Sequence, residues 1–438
     1  MLLLSIMRVR TKRITSTLLT WFLIFQTSVV MASVEESKLK THFYSINVKT
    51  FEFTDPISWV SNYKDENILG LTTDTGTVPG AEPLAGVTSP LHKIFLIDPK
   101  SETSLQLATL SYPDNSGRLY RTLDFLYNPL NLKKKSEVFV SFASSESSGK
   151  CRKVNVYSYV IPSENYDVDV PIKGNIFFES QCFPRSSTGD YRLHQSGGRV
   201  VLIPKKQWEK PTEQEIYLSI GDFIKLGINS VGLNSKVLNQ LGTVQKISKT
   251  KTETIATGLR NPQGLALVKL NQVSELLETE HGPRGGDELN VIKKEKFYGW
   301  PKFGYGTAYN PDDPNNKPGS EGTSGDSKLP LFAWIPSIAP SQLLQNSGPE
   351  FSQWWRASDR YTKQGDVLIG SLGANSIFRC RIEDGAVKYV ETIRVGQRIR
   401  SFIQTPIGKL VIGGDSGKIL YLTRSEAWDS AQGKLAQN

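Results

Sequence analysis

Cysteine and histidine are scarce in this chain of 438 residues, which has three cysteines and four histidines. The cysteines stand at positions 151, 182 and 380, a spacing that matches no zinc knuckle, so structural zinc is not expected. In an oxidising compartment Cys151 and Cys182 could form a disulfide or remain free. Cys380 follows Phe378 at strand spacing and is expected to be a small buried side chain.

Beyond the first 13 residues, the chain also lacks a dense basic stripe. Its 52 Lys and Arg against 43 Asp and Glu give a formal net charge of +9, but the excess is spread thinly. No nucleic-acid-binding motif accompanies it, so ordinary solubility explains the charge better than phosphate binding. Nucleic acid is therefore not an expected partner.

The N-terminal residues 7–32 have the pattern of an export signal. A basic cluster over residues 8–13 precedes the apolar core 18–25, and small residues suited to cleavage follow. The alternative is an uncleaved anchor, because residues 14–32 could just span a bilayer, although their polar side chains make that span poor. We predict a signal peptide over residues 1–32 and a periplasmic or secreted protein, with membrane contact only through an uncleaved N-terminal segment. No cysteine follows the apolar core, so a lipid anchor has no attachment point.

Helical periodicity is rare beyond residue 40, where short patterns occur mainly near residues 272–278 and 425–432. Short β-rich runs separated by Gly, Pro, Asn, Asp and Ser dominate, as in all-β sandwiches, barrels and propellers. So many hairpins favour radial repetition, because one open sheet would leave long unprotected edges. We predict a single β-propeller over residues 40–425 and a C-terminal tail over residues 426–438. No periodicity in the sequence sets the number of blades.

One irregular segment carries most of the functional information. Residues 279–290 read TEHGPRGGDELN; YGWP follows at residues 298–301, and GLRNPQGL precedes at residues 258–265. Glycines, a proline, carboxylates and aromatics at this density do not suit a helix and are typical of a functional site. Together these blocks resemble the glucose/sorbosone dehydrogenase family, the soluble aldose dehydrogenases that use pyrroloquinoline quinone (PQQ) and calcium.

The resemblance implies a fold and an activity. The fold is a six-bladed β-propeller with loop insertions. The activity is oxidation of an aldose at C1 to the lactone, with hydride passing to the quinone. The sequence identifies neither the sugar nor the electron acceptor.

His194 is the candidate general base. It stands beside two glycines in LHQSGGR, directly before a strand-like run, and an imidazole has suitable intrinsic basicity. A lone loop histidine is also compatible with a solvated bystander. The family uses a histidine before one strand, oriented by an aspartate after the next, and the resemblance assigns these roles to His194 and Asp222. If the two face each other, the carboxylate would fix the imidazole tautomer.

Arg260 and Asn261 are candidate cofactor contacts. Pro262 biases Asn261 away from helical geometry, and Gly264 lets the chain turn, so the guanidinium can be presented at a strand start. A surface ion pair is the alternative interpretation. The resemblance implies that both residues contact the quinone, and that Arg260 stabilises the oxygen that becomes negative as hydride arrives.

Arg398 and Arg400 alternate around Ile399, so both point to one face if this segment is a strand. Two guanidiniums on one face repel each other unless an anion lies between them. Surface exposure is the alternative. The family places a matching pair against the cofactor, which is a tricarboxylate.

Gly282 and Pro283 supply main-chain carbonyls, which are hard oxygen ligands suited to calcium. The resemblance implies that these carbonyls hold the calcium that binds PQQ. Glu288 and Tyr298 match positions that hold a further calcium in the bacterial aldose dehydrogenases. From the residues alone, Glu288 could be an ordinary turn acid and Tyr298 a core residue.

Three positions depart from the family pattern. A family lysine falls at Gly373, an early glutamine falls near Leu119, and His281 stands where some relatives carry glutamine. Each lost contact to a charged ligand would cost about 1.5–3 kcal/mol. Two alternative functions follow: a non-catalytic, calcium-stabilised propeller that binds a glycan or a protein partner, and a calcium-dependent sugar lactonase on a similar propeller.

Overall fold

A computed structural model describes the chain over residues 33–41, 44–72, 92–111, 119–132, 135–145, 151–162, 167–184, 193–204, 214–223, 235–307, 327–354 and 365–425. The predicted signal segment, 1–32, and the predicted tail, 426–438, lie outside these ranges. Among the described residues, no helix is long and apolar enough to cross a bilayer.

Strands make up nearly all of the regular structure in these ranges. They are β1 Ser33–Lys40, β2 Ser45–Glu52, β3 Ile57–Asn62, β4 Ile68–Thr72, β5 His92–Asp98, β6 Thr103–Ser111, β7 Leu119–Leu132, β8 Lys135–Ser145, β9 Cys151–Pro162, β10 Ile172–Lys173, β11 Asn175–Glu179, β12 Phe183–Pro184, β13 Gly197–Leu202, β14 Ile216–Ile220, β15 Thr243–Ile247, β16 Thr252–Thr257, β17 Pro262–Leu270, β18 Val273–Glu280, β19 Asp287–Ile292, β20 Lys296–Phe297, β21 Phe332–Trp334, β22 Pro340–Gln345, β23 Val367–Ser371, β24 Ser376–Glu383, β25 Ala386–Arg394, β26 Ile399–Gln404, β27 Leu410–Gly414 and β28 Ile419–Arg424. A short α-helix, Ser235–Leu238, and a 3-10 helix, Ser352–Trp354, complete the set.

The strands form six sheets, each built largely from antiparallel neighbours, and the sheets are the blades of a six-bladed β-propeller. The innermost strand of each blade is β3, β7, β13, β17, β22 or β26. The predicted propeller and its six blades are confirmed.

The last blade joins the two ends of the chain. It contains β26, β27 and β28 from the C-terminal part and β2 and β1 from the N-terminal part, with β2 antiparallel to β28. This pairing closes the ring and removes two sheet edges, which are otherwise prone to association. Strand β1 begins at Ser33, ahead of residue 40, where we predicted the propeller to begin.

The hydrophobic core is divided into six clusters, one for each interface between neighbouring blades. Each blade packs against a neighbouring blade on both faces. Its second strand is therefore buried along its whole length, without the usual alternation of buried and exposed residues. Strands β4, β23 and β27 are buried at every position. This double burial explains why propeller strands in this sequence show weak period-two patterning.

One sequence prediction was wrong. Residues 272–278 were expected to be helical, but Val273–Glu280 is strand β18, paired with β17 and β19. The segment QVSELLE fits both periodicities, and pairing on both sides of β18 outweighs its local helical preference. The other helical pattern, 425–432, falls almost entirely outside the described residues.

The sequence left open whether Cys151 and Cys182 are bridged, and it predicted a small buried side chain at Cys380. A disulfide joins Cys151 and Cys182, tying β9 to the segment that leads into β12. Cys380 is a free, buried thiol in β24, and burial raises its pKa to about 12. It therefore stays a neutral packing residue.

Candidate active site

A cavity of about 330 Å³ opens at the ends of the innermost strands. Sites for small molecules have volumes of roughly 300–1,000 Å³. The cavity wall includes four predicted site residues: His194, Asn261, Arg398 and Arg400. Its other lining residues are Trp59, Arg121, Thr122, Leu123, Gln195, Ser196, Gln263, His281 and Leu372.

His194 reaches the cavity because of the turn that follows it. Gly197 and Gly198 both have positive φ angles, 65° and 98°, which glycine adopts without strain. A Cβ atom at Gly198 would also collide with the side chain of Leu123. The two glycines in LHQSGGR therefore allow the chain to enter β13 closely packed against β7, with His194 on the cavity wall.

Asp222 lies directly behind this segment and is buried. Its Oδ2 accepts a hydrogen bond from the indole Nε1 of Trp300 at 2.8 Å. With the Gln195 amide in the orientation that satisfies its neighbours, Gln195 donates to Asp222 Oδ1 at 2.8 Å and accepts from Arg260 Nη2 at 2.8 Å. Asp222 thus holds Gln195, the residue next to His194. Direct orientation of the His194 imidazole by Asp222 stays a prediction.

Arg260 is buried beside the cavity, and its guanidinium is well supplied with acceptors. Nη1 donates to the main-chain oxygens of His281 at 3.0 Å and Gly282 at 2.7 Å. The guanidinium carbon lies 5.3 Å from the ring centre of Trp300, a cation–π distance. The YGWP and RNPQG motifs are therefore in contact through Trp300 and Arg260.

Main-chain oxygens at Gly282 and Pro283 have the donor chemistry that calcium prefers. In this structure the Gly282 oxygen accepts from the Arg260 guanidinium, so calcium binding there requires that guanidinium to move away. The loop itself is rigidly held, because the buried carboxylate of Asp287 accepts from the main-chain N–H of Gly282 at 3.0 Å and of Ile338 at 2.8 Å. Asp287 thus joins the GPRGGD segment to the main chain at Ile338.

Arg398 and Arg400 point to one face, as predicted, and an anion lies between them. That anion is the carboxylate of Asp415, which accepts from Nε of Arg398 at 2.8 Å and from Nη2 and Nε of Arg400. The Arg398 side chain is 48% exposed and that of Arg400 is 11% exposed. One carboxylate serves two guanidiniums, so the pair keeps a net positive charge toward the cavity.

Asn261 and His281 form a polar pair on the cavity wall. The Nε2 of His281 lies 2.7 Å from the Pro340 oxygen, which can only accept, so this nitrogen carries the proton. The Nδ1 of His281 then accepts from the Asn261 amide at 3.3 Å. Burial lowers the pKa of His281 to about 4, so it is neutral at pH 7.

Below the cavity, Arg199 connects all six innermost strands. From β13 it donates to Asp124 of β7 at 2.7 Å. It also donates to Gln263, Gln342 and the main-chain oxygen of Arg400, on β17, β22 and β26, and it faces the ring of Trp59 on β3 at 5.8 Å. The Arg199 and Asp124 side chains are both buried. This ion pair closes the central channel under the cavity.

Three glutamates are buried together in the blade that contains the GPRGGDEL segment. Glu278 and Glu280 on β18 face Asn290 and Glu288 on β19. The Asn290 Nδ2 lies 3.2, 3.5 and 3.3 Å from carboxyl oxygens of Glu278, Glu280 and Glu288. An amide nitrogen has two hydrogens, so it cannot satisfy three carboxylates at once. Burial and mutual repulsion raise the pKa of Glu278 and Glu280, and burial raises that of Glu288 to about 7.

The predicted second calcium site is not preassembled by side chains. The Tyr298 hydroxyl donates to the Val291 oxygen at 2.6 Å and accepts from the Lys293 N–H at 2.8 Å. Among the described residues, no group of three or more His, Cys, Asp or Glu side chains has the arrangement of a metal site. Calcium at Glu288 and Tyr298 stays a prediction.

We expect the glutamate cluster to make stability depend on pH in calcium-free buffer. The folded-state pKa of Glu288, about 7, lies above its ordinary value of 4.5. Because the folded state holds this proton more tightly than the unfolded state does, protonation of Glu288 stabilises the fold. This stabilisation is fully present below about pH 4.5 and is lost as the pH rises through about 7. Stability should fall by on the order of 3 kcal/mol over this range. Urea unfolding in EDTA at several pH values measures the effect.

The isosteric variant Glu288→Gln should flatten this pH dependence. The matched control is Glu253→Gln, because Glu253 lies in an exposed pair with Lys294 whose contribution is small. If the free energy of unfolding declines equally steeply with pH in Glu288→Gln and in the unmodified protein, Glu288 is not the group responsible for the pH dependence.

The predicted site residues thus fall into four groups. His194, Asn261, Arg398 and Arg400 line one cavity. Asp222 and Arg260 lie behind its wall and are hydrogen bonded to the lining residue Gln195. Gly282, whose oxygen accepts from Arg260, and Pro283 are buried in the loop that follows β18. Glu288 and Tyr298 belong to the interior of the blade.

Sequence reasoning missed several residues of this region. Arg121 lines the cavity, Asp415 bridges the arginine pair, and Arg199 with Asp124 closes the channel. Local signals were weak: Asp415 stands in a GGDSG turn and Arg199 in the SGGR that follows His194. Their partners are distant in the chain, so only the three-dimensional arrangement identifies them.

Two curated relatives match part of the chain. Aldose sugar dehydrogenase YliI of Escherichia coli is 31% identical over 248 residues, covering 54% of this chain and 61% of the relative. Protein slr1608 of Synechocystis is 36% identical over 177 residues, or 40% of each chain. The chain thus spans about 40–61% of the length of these curated relatives.

Solved structures share the fold. The apo-form of the soluble aldose sugar dehydrogenase of Escherichia coli superposes with a TM-score of 0.60 and 20% identity, over 90% of this chain and 100% of that one. The PQQ-bound aldose sugar dehydrogenase of Streptomyces coelicolor superposes with a TM-score of 0.54 and 16% identity, over 90% and 99%. The glucose/sorbosone dehydrogenase family profile matches residues 130–421, which is more than half of the sequence. The chain therefore belongs to the glucose/sorbosone dehydrogenase family.

Proposed function

We propose that this protein is a PQQ- and calcium-dependent aldose dehydrogenase that oxidises the sugar at C1 to the lactone. Family membership and the name of the Escherichia coli relative support an oxidoreductase acting on an aldose. The PQQ-bound structure with the same fold supports the choice of cofactor. The proposal includes a periplasmic or secreted location, because residues 1–32 have the pattern of an export signal.

One observation carries the proposal: the cavity wall combines two imidazoles, His194 and His281, with three guanidiniums and, among the described lining residues, no carboxylate. A site of this composition suits a polyanionic ligand next to a general base. The residues present therefore fit a tricarboxylate quinone.

Bound PQQ would supply the two-electron oxidant that takes hydride from C1 of the sugar. His194 accepts the proton of the anomeric hydroxyl as the C1–O bond becomes a carbonyl.

Other residues of the chain position these groups. Gln195, held by Asp222 and Arg260, fixes the main chain beside His194. Asn261 is held by His281 and Gln263, so its amide is presented to the cavity in one orientation. Arg398 and Arg400, joined by Asp415, offer guanidinium N–H groups to ligand carboxylates.

Calcium would be held by the main-chain oxygens of Gly282 and Pro283, where it would act as a Lewis acid. We propose that Arg260, once released from the Gly282 oxygen, contacts the quinone.

Reconstitution tests the proposal. The purified full chain is incubated with PQQ and calcium, and reduction of an electron-accepting dye is followed with glucose and a panel of other aldoses. We expect calcium- and PQQ-dependent dye reduction by at least one aldose. Absence of turnover across the panel, with unchanged quinone absorbance, would reject the enzyme assignment.

A second candidate function is a non-catalytic propeller that binds a glycan or a protein partner. The observation that favours it is at Gly373, where a Cβ atom would lie 2.8 Å from the Ile338 oxygen, so a lysine there is sterically disfavoured. Calcium-dependent thermal stabilisation without any shift on adding PQQ would support this function. Lactone hydrolysis without quinone would instead indicate the sugar lactonase.

A further inference from the structure

A chain of hydrogen bonds on the cavity wall has its direction fixed at both ends. At one end the Pro340 oxygen can only accept, so His281 donates to it through Nε2 at 2.7 Å. The Nδ1 of His281 therefore accepts from Asn261 Nδ2 at 3.3 Å. At the other end the Gly197 N–H can only donate, and it donates to Asn261 Oδ1 at 3.4 Å. Both ends thus give the Asn261 amide the same orientation.

The orientation of Asn261 determines that of Gln263. Because Asn261 Oδ1 accepts, the Gln263 atom that lies 2.9 Å from it is the nitrogen Nε2. The other atom of this amide, Oε1, accepts from no group in the described part of the chain, and it is not sealed inside the protein. Gln263 is half-buried and lines the cavity. Its side-chain oxygen is therefore an acceptor that a ligand can reach.

An acceptor complements the neighbouring groups of the wall. Arg398 and Arg400 can only donate, and Asn261, whose oxygen is used by Gly197 and Gln263, has an N–H left to offer. Such donors suit the carboxylates and carbonyl oxygens of a quinone. A sugar hydroxyl must also donate its own hydrogen, because an unpaired hydroxyl in a partly closed site weakens binding.

We propose that Gln263 binds the substrate: its Oε1 accepts a hydrogen bond from an aldose hydroxyl other than the one at C1, whose proton goes to His194. In this arrangement His281 and Asn261 are positioning residues that keep the Gln263 oxygen available to the sugar. The choice of an aldose as ligand rests on the proposed function. Gln263 then contributes to specificity, because a sugar that lacks this hydroxyl leaves the oxygen unpaired.

Steady-state kinetics of the PQQ- and calcium-loaded full chain test the contact. The substrates are the aldose of the panel with the highest kcat/KM and its monodeoxy derivatives. Gln263→Met, which keeps the length of the side chain but has no amide, should raise KM for the aldose by about 2- to 12-fold, the range for one neutral hydrogen bond. The rise should disappear for the one derivative that lacks the bound hydroxyl. An unchanged KM, or a rise of equal size for every derivative, would overturn the proposal.

Gln345→Met is the matched control. Gln345 exchanges two hydrogen bonds with the main chain of Lys269, at the end of β22 far from Pro340 and the cavity. This variant should lower the melting temperature without changing KM. Melting curves of all variants, and quinone absorbance at saturation, show that each sample is folded and loaded.

The positioning role of His281 has its own test. His281→Leu leaves Asn261 oriented only by the long hydrogen bond from Gly197, so KM should show part of the rise seen in Gln263→Met. His281→Gln should restore KM, because a glutamine accepts through Oε1 and donates through Nε2, as the neutral imidazole does through its two nitrogens. Equal KM values in the two His281 variants would reject this role.

Failure of the proposed function gives a different result. If the loaded protein oxidises no aldose of the panel, calorimetric titration with the same aldoses replaces the kinetics. Binding that is weaker in Gln263→Met would keep the contact and reject the oxidation. Equal binding in both proteins, or no binding of any aldose, would reject the contact.

Discussion

Replacing His194 by glutamine should lower kcat for aldose oxidation by about 10²- to 10⁴-fold, which is the usual contribution of a general base. Glutamine keeps a polar side chain of similar reach but cannot accept the proton of the anomeric hydroxyl. Cofactor binding should change little, because the guanidiniums of Arg398 and Arg400 remain. Dye-reduction kinetics measure kcat, and quinone absorbance measures cofactor occupancy in the same samples.

The second imidazole of the cavity provides the comparison. His281 is neutral, and its Nε2–H is bound to the Pro340 oxygen, so it is poorly placed to take a proton. His281→Gln should therefore lose less than about tenfold in kcat, well below the contribution of a general base. The pH–rate profile adds a second readout, since loss of the base should remove its acid limb. Equal losses in the two variants, or a fully active His194→Gln, would show that His194 is not the base.

Replacing Arg199 by methionine should lower the free energy of unfolding by about 3–5 kcal/mol, the usual effect of removing one partner of a buried ion pair. The Asp124 carboxylate would be left buried, with its pKa already raised by burial and held down mainly by Arg199. Contacts to three other innermost strands would be lost with it. Urea unfolding at pH 7 measures the change.

The double variant Arg199→Met, Asp124→Leu removes both charges and should recover part of the loss, because no uncompensated charge remains. The matched control is Arg381→Met. Its partner Asp366 keeps a second arginine, Arg379, so the expected loss is smaller. A stable Arg199→Met, or a double variant less stable than the single one, would contradict the central role of this ion pair.

Much of the architecture could be predicted from local patterns. The large number of hairpin-forming β runs indicates a propeller, because one open sheet of that size would leave long unprotected edges. The number of blades, six, was predicted from the family resemblance. The error at Val273–Glu280 has a physical origin. The interior of this blade holds Glu278 and Glu280, and polar residues at buried positions disguise the strand pattern. Pairing with β17 and β19 decides the conformation.

Some residues of the candidate site could be predicted from the sequence, and others could not. His194, Asn261, Arg398 and Arg400 were predicted from short motifs, and the structure brings them to one cavity. Arg121 and Asp415 belong to no motif. Asp415 serves as the anion between Arg398 and Arg400 that we had expected only from a cofactor.

The sequence by itself determined most of the blade-forming strands, the glycines that permit the turn at residues 197 and 198, and the chemical groups available for redox chemistry, because each depends on neighbouring residues. Strand β18 is the exception, since its pairing with β17 and β19 decides its conformation. Tertiary structure alone decided which charges meet. The Asp124 and Arg199 pair spans 75 positions in the chain, and the Arg199 contact with the main chain of Arg400 spans 201. Closing the ring of blades brings such groups together, and Coulomb interactions and burial, which depend on distance in space and not on separation along the chain, then set their roles.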